Sequence, residues 1–133
     1  MEFNDHLSKV CCKLRSAGIE PTRHDNLLLM RIMENTVCAF MGDSKNDVRF
    51  EFLIGRVSQV PDRQLSNFLV SCLDVNRQMS PVSICLDVGD EVTALLTTSV
   101  RLGALDPGRI EETMDAFRRA IPMAKKIFSM SLA

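Results

Sequence analysis

The chain has 133 residues, with 16 Lys and Arg against 17 Asp and Glu and a formal net charge of −1. A domain of that length has room for a full hydrophobic core. Its 46% apolar and 25% charged residues exclude a disordered tail, a fibre and a disulfide-stapled miniprotein. There is no basic excess of the kind nucleic-acid binding uses, and apolar runs such as Leu27-Leu28-Leu29-Met30 fall far short of the ~20 residues of a membrane helix.

The opening Met-Glu-Phe-Asn-Asp-His carries no basic stretch ahead of an apolar run, so a cytoplasmic protein is expected. Phe3, Leu7, Val10, Cys11 and Leu14 follow helical spacing and predict a helix over residues 3–16, closed near Gly18. Residues 27–33 are apolar on both faces and read as a covered strand. A turn at Glu34-Asn35 leads to a second strand over 37–41. His24 falls in a polar loop before the first strand. After the polar loop 42–47, Val48, Phe50, Phe52 and Ile54 alternate with Arg49, Glu51 and Leu53, which is strand periodicity.

Pro61-Asp62 opens a second helix carrying Leu65, Phe68, Leu69, Cys72 and Leu73 at helical spacing, ended by Ser80-Pro81. Val82 to Val88 and Val92 to Val100 read as two further strands joined at Gly89-Asp90. Asp106-Pro107 starts the last helix, whose stripe runs Ile110, Met114, Phe117, Ile121, Ala124 and Phe128. Pro122 lies inside it and is expected to kink or break it. The order α-β-β-β-α-β-β-α predicts an α+β fold with helices packed on an antiparallel sheet, in one domain over residues 1–133.

Signs of catalysis are sparse. His6 and His24 have no neighbouring ligand set, and the five cysteines (11, 12, 38, 72 and 85) are odd in number and contain no Cys-x-x-Cys, so they read as small hydrophobes. Asp87, Asp90 and Glu91 lack the EF-hand pattern and read as a polar hairpin turn. Neither a glycine-rich phosphate loop nor Gly-x-Ser-x-Gly occurs. The expectation is a binding protein with no catalytic residue, metal or cofactor, rather than an enzyme.

In this order of elements, the chain resembles the class I type III secretion chaperones of Gram-negative bacteria, the small dimeric Tir chaperone-like proteins. The resemblance rests on the opening helix at Phe3, Leu7, Val10 and Leu14 with its exit Ser16-Ala17-Gly18-Ile19. It rests also on Phe50-Glu51-Phe52-Leu53-Ile54-Gly55 before the Pro61 helix, and on Asn67-Phe68-Leu69, Asn76, Ile84-Cys85-Leu86-Asp87 and Leu105-Asp106. It implies a bacterial homodimer that binds the N-terminal segment of a cognate secreted effector, keeping it extended and soluble without ATP, with neither nucleic acid nor membrane as partner. Under it, the first helix and first three strands face the effector, and the second helix with the fourth and fifth strands faces the partner subunit.

Ordering a flexible segment of roughly 30 residues costs on the order of 30–60 kcal/mol. Burial returns only about 25 cal/mol per Å², so several grooves and sheet-edge pairing must act together. The candidate effector contacts are therefore spread over the first half: Phe3, Leu7, Val10, Leu14, Met30, Ile32, Phe40, Phe50, Phe52 and Ile54. The candidate dimer contacts are Phe68, Leu69, Cys72, Leu73, Ile84 and Leu86. The competing readings are a non-enzymatic scaffolding or regulatory α+β domain that binds a folded partner, and an enzyme using thiol chemistry at Cys11 or Cys12.

Overall fold

The structure is a computed structural model that describes the backbone from Glu2 to Ala133 and the side chains from His6 onward. The elements are α1 (Glu2–Ser16), β1 (Thr22–His24), β2 (Leu27–Ile32), β3 (Asn35–Met41), β4 (Asp47–Arg56), α2 (Asp62–Asn76), β5 (Ser83–Val88), β6 (Val92–Arg101) and α3 (Pro107–Ser131). The six strands hydrogen-bond in the order β1-β2-β3-β4-β6-β5. The expected α+β class with an antiparallel sheet is therefore observed, with one strand more than the sequence reading gave. The additional strand is β1, which holds His24 and pairs with β2 through Thr22↔Leu29 and His24↔Leu27.

By internal contacts the chain divides into two units. The first comprises Met1–Glu51 and Thr98–Asp115, the second Phe52–Thr97 and Ala116–Ala133.

In the first unit, α1 buries Leu7, Val10 and Leu14 completely and packs on β3. It ends where Gly18 turns to φ 85, with Gly18 N–H donating to the Arg15 carbonyl and Ile19 N–H to the Leu14 carbonyl. That is the Schellman cap, which glycine closes without a side-chain clash. The β2–β3 and β3–β4 pairings set Leu28 opposite Ala39, Met30 opposite Val37, Ala39 opposite Phe50 and Met41 opposite Val48. These residues are buried and form the covered face of the sheet. The turn between β2 and β3 is Met33-Glu34, both left-handed at φ 49 and 67, one residue earlier than the sequence suggested. Asp106 Oδ1 accepts the Arg109 N–H at 2.8 Å and caps the start of α3.

In the second unit, Phe68 and Cys72 of α2, Ile84 of β5, Ala94 and Leu96 of β6, and Phe117, Ile121 and Ala124 of α3 are buried. Pro61 occupies the cap position of α2, and Asp62 lies in its first turn, where its charge suits the helix dipole. Asn76, at the last residue of α2, ties the helix to β5. Its amide nitrogen donates to the Ile84 carbonyl at 3.1 Å, and its Oδ1 accepts the Ile84 N–H at 2.7 Å.

The expected break at Pro122 does not occur: α3 runs as one helix through it. Pro122 and Arg118, whose carbonyl loses its helical donor, are both exposed, so water can satisfy that carbonyl. Buried Phe117, Ile121 and Ala124 anchor the helix on both sides of the proline.

Candidate functional site

Among the described residues, each unit exposes apolar side chains on a surface of its own. The first is the uncovered face of the sheet in the first unit. Side chains alternate along a strand, so the residues between the core positions share the opposite face. Thr22, Leu29, Cys38 and Glu51 lie directly opposite one another across β1, β2, β3 and β4, and Phe40 is opposite Arg49. Leu27 is exposed, and Leu29, Cys38 and Phe40 are half-buried, on strands whose other face is closed. The Arg49 guanidinium stands 6.0 Å from the Phe40 ring centre and makes a 3.3 Å ion pair with Glu51. This places a cation over an aromatic face. Burial, and then the Glu51 carboxylate, push the Cys38 thiol up from its ordinary range, so it remains a neutral apolar contact. Beside this face, β1 is an edge strand whose residues are all exposed, and a free edge can accept another strand.

The second surface belongs to α2 and β5. Leu69, Val70 and Leu73 on α2 and Leu86 and Val88 on β5 are exposed, Leu73 at 68% and Val88 at 77%. β5 is the other edge of the sheet. Scattered exposed apolar residues need no explanation, but five on two contacting elements form a patch.

The residues expected to meet an effector separate into two sets. Leu7, Val10, Leu14, Met30, Ile32, Phe50 and Phe52 are buried within the chain, whereas Phe40 and Ile54 are half-buried and reachable. Phe52 lies under Lys125, whose Nζ is 5.9 Å from the ring centre. Phe3 falls outside the described side chains. Among the expected dimer contacts, Phe68, Cys72 and Ile84 are buried, while Leu69, Leu73 and Leu86 are exposed. Sequence reasoning did not single out Leu27, Leu29, Val70 and Val88 for a surface. For Val70 a signal existed: it stands off the buried stripe of Phe68 and Cys72.

Among the described residues, no group of three or more His, Cys, Asp or Glu could hold a metal ion. Likewise, no helix among them is long and apolar enough to cross a membrane.

This arrangement of elements recurs in solved structures. A chain of the heterodimeric ExoU–SpcU complex from the Pseudomonas aeruginosa type III secretion system matches 89% of this chain and 96% of its own length, with a TM-score of 0.67 and 18% identity. A chain of the HopA1–SchA chaperone–effector complex matches 91% and 93%, with a TM-score of 0.63 and 11% identity. The fold is that of type III secretion chaperones. It is not confined to them: YbjN of E. coli, described as a candidate transcription regulator, matches 95% of this chain and 87% of its own length at a TM-score of 0.56 and 13% identity. No family profile matches the sequence, and no curated protein matches it.

Proposed function

We propose that this chain is a type III secretion chaperone. As a homodimer in the bacterial cytoplasm, it binds the N-terminal segment of a cognate effector and keeps it extended, soluble and secretion-competent without ATP. The observation that carries the reading is the pair of exposed apolar surfaces on a fold shared, over nearly its whole length, with chains of a chaperone–effector complex and of a type III secretion heterodimer. The sheet face with Leu27, Leu29 and Phe40, beside the free edge of β1, offers both side-chain contacts and main-chain pairing to an extended segment. Buried Leu7, Val10, Leu14, Met30, Ile32 and Phe50 hold that face in shape, and Phe40 is the group on it that a partner reaches; in the second unit Phe52 is buried and Ile54 is half-buried. The α2–β5 patch supplies the dimer contact through Leu69, Leu73 and Leu86, with buried Phe68, Cys72 and Ile84 beneath.

The test is capture of purified N-terminal segments of secreted proteins from the same bacterium, without nucleotide. The expected result is a complex of two chains with one segment, in which the segment stays non-globular by circular dichroism. Phe40→Ser weakens capture and leaves the free chain folded. Binding only to folded full-length partners would instead favour a scaffolding or regulatory domain, the reading that the likeness to YbjN supports.

A further inference from the structure

The first unit carries a second surface of different chemistry. Lys9 and Lys13 stand one turn apart on α1 and so share a helix face. Together with Ser44, Asn46 and Asp47 before and at the start of β4, and with Arg101 to Ala104 after β6, they line one depression. The Leu102 N–H donates to the Asn46 carbonyl at 2.7 Å, which fixes the two loops to each other. A neighbouring depression is lined by Ser99, Arg101, Ala104, Asp106, Arg109 and Glu112. The two share Arg101 and Ala104 in their linings, so they lie side by side along one stretch of surface. Among the described residues, Lys9, Lys13 and Arg101 form no ion pair.

We infer that this surface is a docking groove for an acidic stretch of an extended protein segment, whose carboxylates meet Lys9, Lys13 and Arg101 in turn. Three features favour that occupant. Cations spaced along a shared groove match charges spaced along a chain, and the stretch Leu102-Gly103-Ala104 offers backbone and small apolar surface between them. Asp47, Asp106 and Glu112 in the lining oppose a compact dianion but leave room for carboxylates set apart from them. The chain's net charge of −1 opposes a long polyanion such as nucleic acid. The inference holds whichever protein supplies the segment.

The test is fluorescence anisotropy of a labelled peptide alternating Glu with Leu, compared with the same peptide carrying Gln for Glu. The Glu peptide is expected to bind about fivefold or more tightly than the Gln peptide. Added salt should weaken it, and Lys13→Glu/Arg101→Glu should remove the difference. Lys9→Gln/Lys13→Gln, which reverses no charge, should reduce it, so the result does not hang on one variant's folding. Equal binding of the two peptides, or a preference unchanged in both variants, overturns the inference. Displacement of the Glu peptide by inorganic phosphate at matched ionic strength also overturns it, because it marks a compact-anion site.

Discussion

The Phe128 ring lies against Gly55: a Cβ on that glycine would stand 2.4 Å from the ring's Cζ. The same ring meets Phe68 edge-on, with centres 6.0 Å apart and planes at 74°, an arrangement aromatic pairs favour. The absence of a side chain on β4 thus lets the end of α3 reach α2 through an aromatic contact. Gly55→Ala is expected to destabilise the protein by about 1–3 kcal/mol, the usual range for overpacking. The measurement is urea unfolding of Gly55→Ala, Phe128→Ala and the double variant. A double variant no less stable than Phe128→Ala alone would identify the ring as the source of the clash, whereas independent, additive losses would place it elsewhere.

A second prediction concerns the β2–β3 turn. A two-residue hairpin turn with both residues left-handed favours Asn-Gly, yet the sequence supplies Met33 and Glu34 at φ 49 and 67. Each non-glycine residue there carries about 1–2 kcal/mol of steric strain, and Met33, half exposed, returns little burial. The double substitution Met33→Asn/Glu34→Gly is therefore expected to raise stability by about 1 kcal/mol, part of the relief being lost to the added chain entropy of glycine. Thermal melts of the two proteins provide the check, and an unchanged or lower midpoint would show that the turn is not strained.

These positions also mark how far the sequence could be read. α1 and α3 were legible because burial follows the 3.6-residue period, as in Leu7, Val10 and Leu14. β1 was not, because Thr22, Arg23 and His24 are all exposed and carry no alternation. The turn at Met33-Glu34 lacks glycine, asparagine or aspartate at its strained positions, so Asn35 just after it drew the expected turn one residue late. Pro122 misled because the sequence does not say which side of a helix meets water. The binding surfaces were the least legible. Apolar character alone does not separate Phe50, which is core, from Phe40, which is reachable, since both sit on strands and only their strand parity against the covered face decides.

Cys72 gives the third prediction. Burial pushes its thiol up to about 11 from an ordinary 9.0. Below pH 9 the thiol is protonated in both folded and unfolded chains and contributes no pH dependence. Between 9 and about 11 the unfolded chain releases a proton that the folded chain keeps, so stability falls as pH rises through that window. Cys72→Ala is expected to lower stability at neutral pH through its lost sulfur contacts and to flatten the alkaline decline. Urea unfolding at a series of alkaline pH values measures both, and an equally steep decline in the variant would assign it to other groups.

The fourth prediction decides what the α2–β5 patch is for. Leu73 is 68% exposed in the isolated chain, so aspartate at that position would stay in water and disturb the fold little. In a dimer that closes over the patch, the same aspartate would be buried without a partner, a penalty of several kcal/mol. Leu73→Asp is therefore expected to sediment as a folded monomer, with the far-ultraviolet circular dichroism of the parent, while the parent sediments as a dimer. Leu69→Asp should act in the same direction. Phe68→Asp, which places a charge in the core, should instead unfold the chain, separating loss of interface from loss of fold. If Leu73→Asp and Leu69→Asp both sediment as the parent does, α2 is not at the interface. Extension of the sheet at β5, tested by Val88→Lys, would then be the remaining way for this patch to join two copies.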